Sequence, residues 1–208
     1  MNVIHSYKTI AHSTESIIFK ERKSKFYGYA FPILYEQEVE PLLQLIKESH
    51  TAANHVCYAW QIGVQNVSYR ANDDGEPNNS AGLPIYGQIQ SFEVTNILVA
   101  IARIFGGIKL GVGGLIGAYK NTAHLALTNS KIIVKETKQL YRLKFNYPVM
   151  NAVMRFIKRN QLQITNQELH LNCTLEIAVP LKIATMVTSE LAALQNVTTI
   201  YLDKTVDG

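Results

Sequence analysis

The order of hydrophobic periods after residue 132 constrains this 208-residue chain more than any other feature. Residues 132–145 alternate as a strand does, and Pro148 just beyond them suits the first turn of a helix. Val149, Val153, Phe156 and Ile157 recur at helical spacing, and Leu162 and Ile164 then fall in a strand. Leu171, Cys173, Leu175, Ile177 and Val179 alternate up to Pro180. Ile183, Val187, Leu191 and Leu194 make a second helical stripe, and Val197–Leu202 a last strand. The resulting β-α-β-β-α-β order predicts a ferredoxin-like domain over residues 134–208.

Residues 1–133 read as a separate α/β domain, so the chain as a whole is α+β. Strands are expected at 16–19 and 26–34, with a polar hinge over 20–25. A helix begins within 36–41 and ends near His50, with Val39, Leu42, Leu43 and Ile46 on one face. In "NHVCYAWQIGV" Val56, Tyr58, Trp60 and Ile62 alternate with His55, Cys57, Ala59 and Gln61. The large apolar set is expected to face the core, and His55 and Cys57 to share the other face. "YRANDDGEPNNSAGLP" is too rich in Gly, Pro, Asn and Asp for regular structure. A helix capped by Ser80 is expected from there to about Gln90. An apolar strand follows within 94–104. After it, Leu115, Ile116, Tyr119, Ala123 and Leu127 mark a long helix ending near Asn129.

A hydrophobic fraction of 47% with 17% charged residues is enough to build a core and argues against disorder. Two cysteines, Cys57 and Cys173, make no disulfide framework. The first residues are polar, without the apolar core of a signal peptide, and the most apolar run breaks at Arg103. A soluble, cytoplasmic protein with no membrane partner is expected. The net charge of +4 is mild but uneven: Lys135, Lys138, Arg142, Lys144, Arg155, Lys158 and Arg159 face a single acid, Glu136, between residues 135 and 159. Such a patch suits nucleic acid, or is the solvated face of a strand and a helix.

Three stretches could carry chemistry. The first is "IARIFGGIKLGVGGL", with Gly106, Gly107, Gly111, Gly113 and Gly114 between a strand and a helix. Glycines let the backbone approach a ligand closely, and a helix N-terminus offers free N–H groups to an anion. Arg103 and Lys109 would add positive charge. The spacing matches neither a Walker loop nor the dinucleotide fingerprint, so an anion site and a tight packing corner both remain open. The second is the acidic run Asp73, Asp74 and Glu76, which could hold Mg²⁺, cap turns or pair with Arg70 or Arg103. The third is His55 with Cys57, a candidate nucleophile pair or a buried histidine and thiol. No nucleophile elbow and no zinc-protease helix is present. No metal and no cofactor is called for.

"KERKSKFYGYAFPI", "NHVCYAWQIG", "RANDDGEPNNSAGLPI" and "NILVAIARIFGGIKLGVGGLIGAYKNTA" together resemble the signature blocks of the IMPACT family, in its bacterial YigZ-type group. The resemblance runs over roughly residues 16–128. It implies an N-terminal domain of the superfamily of ribosomal-protein domains and elongation factor G domain IV, and a ferredoxin-like C-terminal domain. By position, Asp73, Asp74, Gly75, Glu76 and Pro77 match the acidic motif. Arg103, Phe105, Gly106, Gly107, Lys109, Leu110 and Gly111 match the glycine motif, and His55 and Cys57 match the strand block. The sequence departs at Asn78, Asn79 and Ser80, where the family usually has Ser, Gly and Thr, and at Ile104, where an aromatic is usual. Eukaryotic relatives regulate translation, and RNA or ribosome binding is the usual suggestion for bacterial ones.

The expected function is therefore a non-catalytic binding protein linked to translation. It would engage RNA, the ribosome or a translation-associated protein through the N-domain loops and the basic C-domain residues. The alternative is an enzyme or small-molecule binder, with phosphate on the glycine loop and a metal on the acidic loop.

Overall fold

A computed structural model describes residues 4–207, with side chains up to 202. The chain divides into two units, Tyr7–Val134 and the segment from Lys135 onward together with the residues up to Ser6. Among the described residues, mixed α and β elements build both, with two five-stranded sheets and five α-helices. Among the described residues no helix is long and apolar enough to cross a membrane.

β1 (Ser6–Ile10), a strand too short and polar to stand out in the sequence, straddles the unit boundary and is not part of the first unit's sheet. β2 (Ile17–Glu21) and β3 (Ser24–Pro32) form a hairpin, with Glu21 paired to Ser24. The expected hinge is thus a tight turn. Its two residues, Arg22 and Lys23, both have positive φ (42° and 66°), which suits the twist of a two-residue hairpin. There follow α1 (Val39–Ser49), β4 (His55–Ile62), β5 (Ser68–Asn72), α2 (Gly82–Ser91), β6 (Ile97–Ile104) and α3 (Gly111–Thr128). β5 overlaps the stretch read as irregular: Tyr69, Arg70, Ala71 and Asn72 pair with β4 despite their polarity.

The sheet order is β2-β3-β6-β4-β5, antiparallel throughout. Helices cover both faces. Phe26, Ala30, Cys57, Val99 and Ile101 pack with α2 and α3, and Val56, Trp60, Leu98 and Ala102 pack with α1. Ile97 to Ala102 are wholly buried, which explains the unbroken apolar run of β6. The expected two-sidedness of β4 is corrected by the same fact. Cys57 is as buried as Trp60, because the second face is also core.

In the second unit β7 (Ile132–Asn146), α4 (Met150–Arg159), β8 (Gln163–Leu169), β9 (Asn172–Pro180), α5 (Ala184–Ala192) and β10 (Val197–Asp207) follow in order. Strands β8, β9, β7 and β10 lie side by side, all antiparallel. This is the ferredoxin-like arrangement. Val153, Phe156, Ile157, Val187 and Leu191 of the two helices share one core with Tyr141, Leu143, Phe145, Leu175, Ile177 and Val179 of the sheet.

One close approach sets how α3 lies on the first sheet. A Cβ at Gly28 of β3 would stand 2.8 Å from the Thr122 methyl and 3.3 Å from its carbonyl oxygen. Gly28→Ala is expected to cost about 1–3 kcal/mol by overpacking. Thr122→Ser removes the clashing methyl, so the double variant should lose less than the two singles together in urea unfolding.

Candidate functional site

The acidic and glycine motifs meet at the end of β6. Arg103 stands in register between Phe26 of β3 and His55 of β4. Its Nη1 lies 2.6 Å from Glu76 Oε1, and both side chains are almost fully buried, 7% and 4% exposed. The Tyr119 hydroxyl of α3 donates to the same oxygen at 2.8 Å. The Cys57 thiol lies 3.3 Å from the Tyr119 hydroxyl and 3.0 Å from the Asp73 carbonyl, so its single proton serves one of two acceptors. The guanidinium also sits against the rings of Phe26 and Phe105, 5.5 and 5.6 Å from their centres.

The three acidic residues are occupied in holding their own loop. Asp73 accepts from the Ala81 and Gly82 N–H groups with one oxygen and from Asn79 N–H with the other. It therefore satisfies the start of α2, the task expected of Ser80, whose hydroxyl instead donates to the Pro77 carbonyl at 2.6 Å. Asp74 accepts from the Val56 N–H at 2.6 Å, and its carbonyl takes the His55 Nδ1 proton at 2.7 Å. Asn79, where the family usually has glycine, has a φ of 64°, a conformation asparagine tolerates well. The metal expected by the alternative reading has no ready ligand set in these carboxylates. Among the described residues no three His, Cys, Asp or Glu side chains gather as a metal site.

His55 and Cys57 form no nucleophile pair either. Each is bonded to a different carbonyl of the acidic loop. Burial pushes the Cys57 thiol far above its usual range, and the carboxylates of Glu76, Asp74 and Asp73 push it further, against the lowering effect of the hydrogen bond it shares with Tyr119. Burial likewise raises the Tyr119 hydroxyl, with Cys57 and Glu76 adding to it. A thiolate is thus disfavoured where a nucleophile would need one.

The glycines divide by role. Gly106 permits a close approach, because a Cβ there would lie 2.0 Å from the Lys23 carbonyl carbon in the hairpin turn. Gly107 has a φ of 85°, which L-residues rarely adopt. Gly111, Gly113 and Gly114 belong to the first turn of α3 rather than to a loop. That helix has no side-chain cap and no acid in its first turn. Asn54 pins the corner: its side-chain oxygen accepts from Phe105 N–H, and its own N–H donates to the Arg103 carbonyl, both at 2.9 Å.

Between the two motifs lies a cleft of about 450 Å³. Pro77, Phe105, Leu110, Val112 and Leu115 give it apolar walls, and His55, Glu76, Arg103 and Lys109 its polar groups. Phe105 and Val112 remain 44% and 53% exposed. Tyr119 and Asn54 are the site residues that sequence reasoning missed. Tyr119 is hidden in a regular apolar stripe, and nothing in its spacing announces a polar partner.

The seven basic residues do not form one patch. Lys138, Arg142 and Lys144 alternate on β7 with the core residues Tyr141, Leu143 and Phe145, so they leave the sheet on the side away from α4 and α5. Arg155, Lys158 and Arg159 lie on α4, on the helical side. Arg142 pairs with Glu176 and Arg159 with Glu190, each at 2.6 Å, and Lys138 bonds Gln163. Lys135 is half-buried near the start of β7. A wider depression of about 620 Å³, lined by Lys144, Asn146, Asn172 and Thr198 among others, brings no further titratable cluster.

Glu76→Gln should destabilise the protein by about 3–5 kcal/mol in urea unfolding, because it strands the buried Arg103 charge. Native Cys57 should resist alkylation from neutral pH to about pH 9, where an ordinary thiol becomes largely thiolate. Because its pKa is raised, its rate should stay far below that of an ordinary thiol and reach no plateau near pH 9, and unfolding should restore reactivity. Rapid native-state labelling would contradict this arrangement.

Residues 22–127 match the Impact N-terminal domain family. IMPACT family member YvyE of Bacillus subtilis is 31% identical over 168 residues, covering 81% of this chain and 76% of that protein. IMPACT family member YigZ of Escherichia coli is 26% identical over 167 residues, 79% of this chain and 82% of that one. A crystal structure of a hypothetical protein shares the fold at a TM-score of 0.75 and 22% identity, covering 97% of this chain and 100% of its own. With its domain match, its order of motifs and this extent of similarity, the chain belongs to the IMPACT family.

Proposed function

We propose that this protein is a non-catalytic binding protein linked to translation, and that it engages RNA, alone or within the ribosome, through the cleft between its acidic and glycine motifs. One observation carries this. The groups that could do chemistry are consumed by structure, whereas the positive groups at the cleft mouth are not. Glu76, Asp73, Asp74, Cys57 and Tyr119 all bond within the fold. Lys109 is exposed, and the first turn of α3 lacks a side-chain cap. The only carboxylate among the cleft-lining residues, Glu76, is already neutralised by Arg103. An anionic partner therefore meets attraction without opposing charge. Lys144, Lys158 and Arg155 of the second domain are exposed and offer separate sites for phosphate groups.

RNA affinity should fall linearly on a log–log plot against salt. Lys109→Glu should weaken binding and flatten the slope by about 0.7 for each phosphate that is no longer neutralised. Filter binding or anisotropy over a salt series measures both. Equal, weak affinity for any polyanion, unchanged by Lys109→Glu, would refute the proposal.

A further inference from the structure

The cleft has more apolar wall than phosphate binding requires. Phosphate recognition needs cations and N–H groups at an accessible surface, and most hydrogen bonds from proteins to a nucleic-acid backbone are of that kind. Here a concave space of about 450 Å³ is walled by Pro77, Phe105, Leu110, Val112 and Leu115. That volume lies in the range of sites for small organic groups. Its occupant must bring a body to desolvate as well as a charge.

We infer that the cleft receives one unstacked nucleobase of single-stranded RNA, with the adjoining phosphate at the N-terminus of α3 beside Lys109. This rests on the RNA-binding function proposed above and names the part of the RNA that the site takes.

Three observations favour a base over the apolar side chain of a protein. The ring of Phe105 is 44% exposed while the Arg103 guanidinium lies 5.6 Å from its centre. A ring held by a cation and still open to solvent is a stacking platform, and unpaired bases stack on such rings whatever their sequence. Arg103 lines the cleft, is 6% exposed, and its Nε–H has no acceptor. That Nε is sealed from solvent, so Arg103 meets a ligand only through the Phe105 ring it holds in place. His55 also lines the cleft and gives its Nδ1 proton to the Asp74 carbonyl, and its other ring nitrogen, Nε2, can hydrogen-bond a base edge. The uncapped first turn of α3 and the exposed Lys109 then stand where the charge of such a ligand belongs. Bases inside a duplex are stacked and paired, so double-stranded RNA cannot fill the cleft.

The test is fluorescence titration of the full-length protein with a short single-stranded RNA carrying one 2-aminopurine. Binding should change the 2-aminopurine emission. Phe105→Ala should weaken binding roughly fivefold to a hundredfold and abolish that change, and Phe105→Tyr should keep both. The same sequence as a duplex should bind at least about tenfold more weakly than the single strand. The emission change is read on the unmodified protein, so the inference stays falsifiable even if Phe105→Ala folds poorly. If single strand, duplex and the Phe105→Ala variant all bind alike and salt-dependently, the base cleft is refuted while RNA binding stands. If no RNA binds, both are refuted. If free AMP matches the oligonucleotide in affinity and displaces it, the site is one for mononucleotides and the assignment to RNA falls. If a protein segment competes and RNA does not, it falls equally.

Discussion

The buried ion pair between Glu76 and Arg103 ties an irregular acidic loop to the middle of a sheet. Removing two charges from water is costly, and the pair is tolerated only because several interactions offset it. The charges are 2.6 Å apart, Tyr119 donates a second hydrogen bond to the carboxylate, and two aromatic rings flank the guanidinium. Asp73 and Asp74 then fix the loop on either side, one to the start of α2 and one to β4. Within the loop the Asp73 carboxylate takes the N–H groups of Asn79, Ala81 and Gly82, and backbone carbonyls take those of Glu76 and Ser80. Its acidity serves geometry first.

Much of the fold could be read from the sequence wherever one periodicity ran long enough. The ferredoxin-like domain was legible because a sheet with helices on one side forces strict alternation, as in Cys173 to Val179; Leu171, expected to continue the row, lies before β9 and is exposed. β6 was legible because a strand buried on both faces is apolar throughout. The same fact misled at β4. His55, Cys57, Ala59 and Gln61 look like a solvent face because two are polar and two are small. Cys57 and Ala59 are small because α2 and α3 cover that side closely, and both are fully buried. β5 was missed for the opposite reason. An edge strand is half-exposed and needs little apolar content to pair, so Tyr69 to Asn72 resemble loop.

The candidate site was legible as a set of residues but not as a set of bonds. Asp73, Glu76, Arg103 and the glycines stood out by composition. Which carboxylate would meet the arginine did not, since one residue's difference along the loop decides whether a side chain enters the core. Nor could spacing reveal that Asp73 rather than Ser80 closes α2, because the hydrogen bonds reach eight and nine residues along the chain. Charge counting failed for a simpler reason. Lysines and arginines close in sequence leave opposite sides of the domain when some sit on a strand and others on the helix after it. Lys144 and Lys158 illustrate this.

Charge placement, more than charge count, governs what the N-terminal domain can bind. By sequence the acidic loop should repel an anion from the neighbouring glycine corner. In the fold its carboxylates turn to backbone N–H groups, a guanidinium and a phenol, and so lose most of their outward field. Lys109 and the open end of α3 remain beside the cleft with no acid in that first turn to offset them. The loop thus contributes shape to the cleft through Pro77 while withholding its charge. Replacing Asp73 should therefore change the cleft's geometry more than its potential, whereas replacing Glu76 leaves the Arg103 charge unopposed. The same logic explains why Arg103, the most basic group lining the cleft, cannot act as a free cation there. Its charge is directed inward to Glu76, and what it contributes to a ligand is the ring it holds in place.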